Sequence, residues 1–304
     1  MTRFGFIAVI GPPNSGKSTL VNALADAKVA IVSPKVQTTR LAVRGIVIKD
    51  QSQIVFVDTP GIFRPRRNLD RAMIRAAWGS TEGADGVLLI VDSADLIAEP
   101  AGAAAREAQE IMETLQRSEK PAALLLNKID KVKRPLLLPL AERLNAHSRF
   151  DAVFMISAAK KDGLASVLGW CSAHVPEGEW LYPADQAADV PLRLLVAELT
   201  REKVYLRLHD ELPYATSVRT TDWKERKDGS VRIEQIITVQ REGQKAIVLG
   251  KGGATIKAIG EQARRDAEEV IGKRVHLFLR VEVDATWDEA RERYVELGLE
   301  YPGK

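Results

Sequence analysis

The chain has few cysteines and few aromatic side chains. Cys171 is the single cysteine among 304 residues, so no internal disulfide can form, which is typical of a protein in a reducing compartment. Its segment, LGWCSAHV, has the pattern of a helix end packed on a core, which argues against a catalytic thiol. Aromatic residues make up only 6% of the sequence, so ring stacking is not expected to dominate recognition.

Long apolar runs are lacking as well, and we expect no export signal at the N-terminus. The longest apolar runs, GVLLIV at 86–91 and PAALLL at 121–126, fall far below the ~18 residues that span a bilayer. Only Arg3 precedes strand-like sequence at the N-terminus, and no small-residue cleavage site follows. With 45% hydrophobic and 28% charged residues, the composition indicates a globular protein that we expect in the cytoplasm.

The net charge is small but unevenly placed. The whole chain carries +3, whereas residues 241–280 hold nine Lys or Arg and five Asp or Glu, a net charge of +4. A polyanion such as nucleic acid is the natural partner of such a stretch. A basic face that is merely solvated is the alternative.

The first part of the chain alternates short apolar strands with amphipathic helices, which predicts a doubly wound, mostly parallel sheet. One exception is IVIKDQSQIVFV, which predicts a hairpin turning near 50–52 and hence one antiparallel strand. The predicted strands are Phe4–Ile10, Val43–Lys49, Gln53–Val57, Gly86–Val91, Ala122–Leu126 and Ala152–Ile156. The predicted helices are Lys17–Ala27, Asp70–Trp78, Ala104–Gln116, Pro135–Ala146 and Leu164–His174.

The pattern changes beyond a proline-rich stretch. Residues 175–191 contain three prolines and no helical period, so we predict a linker between a first domain at 1–174 and a second at 192–304. The second domain is predicted as an α+β module. Its predicted elements are a helix at 192–208, strands near 214–222 and 231–240, a short helix, a GKGG loop, a helix at 254–271, a strand at 274–284 and a last helix near 287–297.

A phosphate-binding loop follows the first strand. GPPNSGKST, Gly11–Thr19, matches G-x-x-x-x-G-K-[ST] between a strand and a helix, where backbone N–H groups and the helix N-terminus can hold phosphates. Lys17 is predicted to reach the β- and γ-phosphates, and Ser18 to ligate Mg²⁺. ATPases and small-molecule kinases share this loop, so it leaves the base open. The predicted nucleotide contacts in the loop are Gly11, Asn14, Ser15, Gly16, Lys17, Ser18 and Thr19.

A second motif, DTPG, ends the strand IVFV. Asp58 is placed to bind Mg²⁺ through water, Thr59 belongs to the same turn, and Gly61 can bring its N–H close to the γ-phosphate. The polar segment SPKVQTTR at 33–40 is predicted to close over the metal through Thr39. Lys17, Thr39 and Gly61 are therefore the predicted catalytic residues. An aliphatic Ile62 follows Gly61 and cannot orient water, so hydrolysis should be slow.

NKID at 127–130 identifies the base, because it ends the strand AALLL, where open α/β sheets bind their ligands. Asp130 can accept hydrogen bonds from guanine N1–H and the 2-amino group, which adenine does not offer. We expect Asn127 to hold the loop and the stem of Lys128 to cover the ring. The segment ISAAK is predicted to give guanine O6 a backbone N–H from the turn of Ser157, Ala158 and Ala159.

The GKGG loop gives a further binding prediction. Its residues, Gly250, Lys251, Gly252 and Gly253, resemble the GxxG loop with which KH domains clamp single-stranded RNA. Apolar spacing in the following helix leaves Lys257, Arg264 and Arg265 on its open side. A plain glycine turn between two helices is the alternative. A second nucleotide loop is improbable since no Lys-Ser/Thr follows Gly253.

Together these motifs resemble the translation-factor-like GTPases, and in detail the Era-like GTPases that carry a C-terminal type II KH domain. The resemblance rests on NSGKST, VQTTR, VDTPGIF, NKID and ISAAK in the first part, and on ELPYATSV, EGQKAIVLGKGGATIKAIG and VHLFLRVEV in the second. It implies GTP/GDP and Mg²⁺ as ligands and the single-stranded 3′ end of 16S rRNA as partner.

The same resemblance implies a slow GTPase that acts in maturation of the 30S ribosomal subunit. It also implies a monomer in the cytoplasm with peripheral association at the cytoplasmic face of the inner membrane. Two rival functions stay open on the residues alone: a GTP switch whose basic module docks on an anionic membrane or a protein, and a P-loop kinase acting on a small molecule.

Overall fold

The chain divides into two compact units. The computed structural model describes residues 1–33, 35, 39–40, 43–65, 67–147, 150–208 and 216–301. The first unit comprises Met1–Ala30, Thr39–Asp189 and Leu297–Lys304, and the second comprises Ile31–Thr38 and Val190–Glu296. Four of the eight residues of the predicted segment 33–40 lie outside the described residues, as do residues 211–215 of ELPYATSV and with them the start of the strand predicted at 214–222.

The first unit is built on a six-stranded sheet whose order is β2-β3-β1-β4-β5-β6. All neighbouring strands are parallel except β2 and β3, which form the antiparallel hairpin expected from IVIKDQSQIVFV. Every residue of β3 and β4 is buried, as continuous apolar runs predict. The strands are β1 (Arg3–Ile10), β2 (Val43–Lys49), β3 (Ser52–Asp58), β4 (Gly86–Asp92), β5 (Ala122–Asn127) and β6 (Ala152–Met155).

Among the described residues of this unit, α-helices lie between the strands and after β6. They are α1 (Lys17–Ala25), α2 (Asn68–Glu82), α3 (Ser93–Ala98), α4 (Ala103–Leu115), α5 (Leu137–His147) and, after β6, α6 (Leu164–His174). The apolar stripe of α4 buries Ala108, Ile111 and Met112 in the core. Helix α3 was not predicted, because six residues are too few to show a helical period. Its local signal is Asp92, whose carboxylate accepts from the N–H groups of residues 94 and 95.

Part of the stretch predicted as a linker lies along the edge strand β2. The Ile46 N–H donates to the carbonyl of Ala187 (2.9 Å), and the Asp189 N–H donates to the carbonyl of Arg44 (3.0 Å). The side chain of the buried Gln53 hydrogen-bonds the backbone of residues 181 and 182. Residues 175–189 of the predicted linker thus belong to the first unit. The prolines of this stretch indicated that it forms no helix, but they did not indicate its pairing with β2.

The second unit is a three-stranded sheet covered on one face by helices. The strand order is β7-β8-β9, with β8 antiparallel to β7 and parallel to β9. Ile237 and Val281 of the sheet pack against Val204 and Ile259 of the helices. The elements are α7 (Leu192–Arg207), β7 (Ser217–Glu225), β8 (Val231–Val239), α8 (Glu242–Leu249), α9 (Ala254–Ile271), β9 (Val275–Val283) and α10 (Arg291–Glu296).

The two folds confirm the predicted class, a mostly parallel α/β unit and an α+β unit of the KH type. The last helix is the main difference, since it covers 291–296 instead of 287–297. Trp287 lies in the turn before α10 and is 1% exposed. Burial of this large ring fixes a turn where sequence periodicity alone favours a helix.

Candidate functional site

The loop between β1 and α1 depends on two glycines. A Cβ atom on Gly11 would lie 2.2 Å from the carbonyl oxygen of Ile90, and one on Gly16 would lie 2.2 Å from the side-chain nitrogen of Asn127. Gly16 also has a φ of 104°, which disfavours any side chain. The loop therefore runs close to β4 and to the last residue of β5 before α1 begins at Lys17, and the helix N-terminus faces the site.

Lys17 lies folded over this loop. Its side chain is 6% exposed, and Nζ donates to the carbonyls of Gly11 (3.1 Å) and Pro12 (2.8 Å). Burial lowers the lysine pKa to about 8, and the nearby Asp58 carboxylate opposes that shift. Lys17 therefore stays mainly cationic at neutral pH and brings a buried positive charge to the loop.

Three oxygen-bearing side chains converge beside Lys17. The Ser18 hydroxyl donates to the Asp58 carboxylate (2.7 Å), and the Thr39 hydroxyl oxygen lies 2.8 Å from Ser18 Oγ and 3.3 Å from the same carboxylate oxygen. They come from α1, from the segment before β2 and from the end of β3. This arrangement brings together the three residues predicted to hold a metal.

The chemistry of this group fits Mg²⁺. Asp58 Oδ1 is buried and has no hydrogen-bond partner in the described part of the chain, and burial raises the Asp58 pKa to about 6. Hydroxyl and carboxylate oxygens are the hard ligands that Mg²⁺ prefers. Elsewhere in residues that the structure describes, no three His, Cys, Asp or Glu side chains gather as a metal site.

The DTPG turn lies against the phosphate loop. The Thr59 hydroxyl donates to the Val9 carbonyl (2.8 Å), so this side chain anchors the turn to β1. A Cβ atom on Gly61 would lie 3.1 Å from the backbone of Pro13. Ile62 donates its N–H to Gly11 (3.1 Å), and its buried side chain belongs to the core that includes Ala108. Ile62 therefore has neither the chemistry nor the exposure to orient water.

Asn127 joins two loops at the end of β5. Its amide nitrogen donates to the carbonyl of Ser15 (2.8 Å), and its amide oxygen accepts from the N–H of Ala158 (3.0 Å). The side chain is 2% exposed. Asn127 thus links the phosphate loop to the turn after β6, which is the loop-holding role expected from the sequence.

Asp130 lies in an exposed turn after β5 and is held by one hydroxyl. Ser157 donates to its Oδ1 (2.6 Å), which lowers the pKa of the Asp130 carboxyl. The group is therefore ionised at neutral pH, and it retains acceptor capacity for two neighbouring donors of a base.

The turn at 157–159 offers fewer donors than the sequence indicates. The Ser157 N–H donates to the Asp162 carbonyl (3.1 Å), and the Ala158 N–H is taken by Asn127. No acceptor for the Ala159 N–H occurs among the residues that the structure describes. Of the three backbone N–H groups predicted to reach guanine O6, those of Ser157 and Ala158 already have acceptors, which leaves the Ala159 N–H as the candidate donor.

The sequence reasoning predicted Lys128 but missed its partner, Asp92. Lys128 adopts a left-handed φ of 63°, and its ammonium group pairs with the Asp92 carboxylate (2.5 Å) at the end of β4. That pair fixes the lysine whose stem is predicted to cover the base. An acid at the carboxyl end of the neighbouring strand was the available signal.

The GKGG loop of the second unit connects α8 to α9. Gly250, Gly252 and Gly253 have φ values of 72°, 60° and 79°. A Cβ on Gly250 would lie 2.1 Å from the Thr255 hydroxyl, whereas Gly252 and Gly253 face open space within 4 Å. The loop therefore exposes main chain at a sharp turn, and the exposed Lys251 adds a charge.

The predicted cations of α9 divide into two kinds. Arg264 pairs with Glu268 (2.8 Å), and Arg265 pairs with Glu261 (2.6 Å). The exposed Lys257, like Lys251, has no ion pair within the described ranges. Sequence spacing placed all of them on one side of the helix, but only the geometry shows which charges are already compensated.

Known protein families match part of each unit. Residues 6–128 match the 50S ribosome-binding GTPase family, and residues 211–288 match the KH domain family. None of the helices in the described part of the chain has the length and apolar character that crossing a bilayer requires.

The relatives and solved structures cover nearly the whole chain. It is 52% identical to GTPase Era of Brucella suis over 99% of this chain and 94% of the relative, and 51% identical to GTPase Era of Caulobacter vibrioides over 99% and 97%. A crystal structure of Era in complex with MgGDPNP and nucleotides 1506–1542 of 16S ribosomal RNA matches with a TM-score of 0.91 at 34% identity, covering 98% of this chain and 99% of that one. An Aquifex aeolicus Era variant bound to GDP and AlF4⁻ matches with a TM-score of 0.90 at 35% identity, with the same coverage. The chain therefore belongs to the Era family of GTPases.

Proposed function

We propose that this GTPase is a slow switch whose second unit binds the single-stranded 3′ end of 16S rRNA and which acts in maturation of the 30S ribosomal subunit. The observation that carries the proposal is the exposed GKGG main chain with the uncompensated charge of Lys251, in a chain that also holds a guanine-nucleotide site. The RNA-bound Era that this chain resembles supports the choice of partner.

In the first unit, Ser18 and Thr39 would ligate Mg²⁺ directly and Asp58 would do so through water. The metal, when bound, supplies positive charge to the β- and γ-phosphates. When nucleotide binds, the Lys17 ammonium group gives up its hydrogen bonds to the carbonyls of Gly11 and Pro12 and donates to phosphate oxygens instead. The backbone N–H groups of the loop, including those of Ser15 and Thr19, surround the phosphates.

We assign hydrolysis to Lys17, Thr39 and the Gly61 N–H, which stabilise charge on the transferred phosphate. Because Ile62 is packed in the core, the attacking water receives no side-chain orientation from that position. Slow turnover gives a long-lived GTP-bound state, which suits a timed switch, and a bound partner can end that state by completing the site.

Base selection is assigned to the loops after β5 and β6. Asp130 accepts from guanine N1–H and the 2-amino group, and the Ala159 N–H donates to O6. Lys128, with its ammonium group held by Asp92, covers the ring with its stem. Asn127 positions both loops, and the hydrogen-bonding capacity that its side-chain amide has left is directed at the guanine ring.

In the second unit, the main chain of Gly250, Gly252 and Gly253 lets RNA phosphates approach, and Lys251 and Lys257 supply charge. Arg264 and Arg265 contact RNA by leaving their glutamate partners. We further propose functional boundaries at 1–174, 175–191 and 192–304. The protein is placed in the cytoplasm as a monomer, with peripheral association at the cytoplasmic face of the membrane.

The direct test is filter binding with a small-subunit 3′-end RNA and a scrambled RNA of equal length and composition. We expect at least tenfold preference for the authentic sequence, since each lost base contact costs about 1–3 kcal/mol. Equal affinities would contradict the rRNA assignment. Competition between GTP and ATP for the nucleotide site is the matched measurement, and a failure of GTP to compete would favour a kinase.

A further inference from the structure

The sheet of the second unit has a second face, opposite helices α7, α8 and α9, where Ile236 of the central strand is 4% exposed. Helices α7, α8 and α9 pack on the side that contains Ile237 and Val281. Residues one position along each strand point to the opposite side. We call that side the outer sheet face and define it by Arg219, Arg232, Glu234, Ile236, Phe278 and Arg280.

Two arginines on the outer sheet face are uncompensated. Arg219 of β7 and Arg280 of β9 flank Ile236 of β8 in one cross-strand row. Across all described residues neither arginine makes an ion pair, and Arg219 Nε is buried without a hydrogen-bond partner. Neighbouring cations on the same face are paired, Lys224 with Asp222 (3.0 Å) and Arg232 with Glu234 (2.5 Å). The row therefore carries two positive charges, and Glu282 of β9 is the next residue along the same face.

An exposed aromatic ring lies next to this row. The Phe278 side chain on β9 is 47% exposed, which is high for an aromatic ring on the face of a sheet. The Arg232 guanidinium lies 4.9 Å from the ring centroid. A phenylalanine with a planar arginine over it is a surface on which an unstacked base can stack.

Strand β9 connects this face with the GKGG loop. It is an edge strand of the sheet, so one side of its backbone has no strand partner in the described part of the chain. Leu279, on the inner side of β9, lies against Gly260 of α9, the helix that follows the GKGG loop. A Cβ atom on Gly260 would be 3.3 Å from the Leu279 side chain. Phe278 and Arg280 are the residues on either side of Leu279. Strand β9 thus contacts both helices that flank the GKGG loop and also contributes to the outer sheet face.

We propose that the outer sheet face is a second RNA-contact surface, which binds nucleotides flanking those clamped by the GKGG loop. Phe278 and Arg232 stack a base, and Arg280 and Arg219 contact phosphates beyond it. A polyanion with planar bases is the partner that matches both features, two free cations and an exposed ring. The inference rests on the proposed RNA-binding function and extends it from the loop to the opposite side of the sheet.

The test compares two RNAs on the full chain. A short RNA of about six nucleotides fills the loop, which clamps about four, and a long RNA extends it by about ten nucleotides on each side. Arg219→Gln with Arg280→Gln should lower affinity for the long RNA at least tenfold and leave the short RNA within twofold. The salt dependence for the long RNA should become shallower by about 1.4 in log–log slope, since each phosphate of a single strand contributes about 0.7.

Two further variants complete the test. Arg226→Gln with Lys227→Gln removes the same charge from the exposed turn between β7 and β8 and should change both affinities less than threefold. Phe278→Ala should weaken long-RNA binding by about fivefold or more, and Phe278→Tyr should restore it, because a ring and not mere bulk is required.

The outcomes separate the two proposals. If the wild type binds the short RNA and the arginine variant binds the long RNA like its control, the outer sheet face is not an RNA surface and the inference fails alone. Absence of binding to both RNAs by the wild type overturns the proposed function and the inference with it.

Discussion

Asp130 shows how a single hydroxyl prepares a residue for base selection. Ser157 donates to one carboxylate oxygen (2.6 Å), which keeps the exposed group ionised and fixes its orientation. The other oxygen remains available for a base. The sequence pattern NKID predicts the carboxylate, but the serine that holds it lies 27 positions further along the chain and was predicted only as part of a turn.

Replacing Asp130 by Asn should invert the base preference. An amide keeps the Ser157 contact through its oxygen but donates where the carboxylate accepted, so it suits the 2-oxo group of xanthine. We expect the ratio of GTP to XTP affinity to fall at least ~100-fold, because an unpaired polar group in a selective site is strongly rejected. Competition binding measures the ratio.

The matched control is Asp162→Asn, which removes a nearby exposed charge and should leave the ratio unchanged. A variant at Asp130 that still prefers GTP over XTP would contradict the account of base recognition.

At the scale of elements, the site is made by strand ends and the loops that follow them. Asn127 ends β5 and holds the loop after β1 and the turn after β6 at 2.8 and 3.0 Å. Ser18, Thr39 and Asp58 likewise come from three different elements. Parallel strands bring these ends to one edge of the sheet, so one side chain can organise several loops.

Asn127→Ala should weaken the first unit and its nucleotide binding together. It leaves a buried carbonyl at Ser15 and a buried N–H at Ala158 unsatisfied, each at a cost of about 1–3 kcal/mol. We expect the free energy of unfolding to fall by about 2–4 kcal/mol and GTP affinity to fall at least ~10-fold. Urea unfolding and nucleotide titration measure the two effects.

Asn145→Ala, at an exposed position on α5, is the control and should stay within about 0.5 kcal/mol of the wild type. Wild-type stability in the Asn127 variant would show that this side chain does not organise the loops.

Strands and long helices were predictable from the sequence because burial on both faces and helical periods leave strong patterns. Helix α9 is found at the predicted residues 254–271, and β2 at the predicted residues 43–49. Short or tertiary features were not predictable in the same way. Helix α3 has only six residues, and the pairing of residues 187 and 189 with β2 depends on a free sheet edge that no local pattern reveals.

In the candidate site, too, local sequence patterns were predictable and contacts between distant elements were not. The phosphate loop, the metal ligands and Asp130 follow from motifs of fixed spacing. The Lys128–Asp92 pair, the occupied N–H of Ala158 and the glutamate partners of Arg264 and Arg265 depend on distances across elements. Sequence spacing gives the type of group at a position, and packing decides whether that group is free.

At the scale of the whole molecule, two units carry two chemistries on one chain. The first holds the nucleotide residues and the second holds the GKGG loop and the outer sheet face. The central claim is that RNA is bound by this loop while GTP is bound and hydrolysed by residues of the other unit. Variants of the loop should therefore separate the two activities.

The loop also permits a closely matched pair of variants. Lys251 and Gly252 can be replaced by Asp with little strain, because a Cβ on Gly252 meets open space and aspartate tolerates its φ of 60° better than most residues. Lys227 and Gly229 lie in the exposed turn between β7 and β8, where Gly229 has a φ of 79° and equally open surroundings. Both double substitutions change the charge by the same amount in the same unit.

The most direct test of the central claim measures RNA affinity and GTP hydrolysis in these two double variants. Filter binding of a small-subunit 3′-end RNA across a salt series should show that Lys251→Asp with Gly252→Asp loses well over ~10-fold in affinity, at about 1.4 kcal/mol per decade. The Lys227→Asp, Gly229→Asp control should lose less than about threefold. Phosphate release should stay at the wild-type rate in both. Equal RNA affinities in the two variants would contradict RNA binding at the loop, and loss of GTP binding in the loop variant would contradict the independence of the two units.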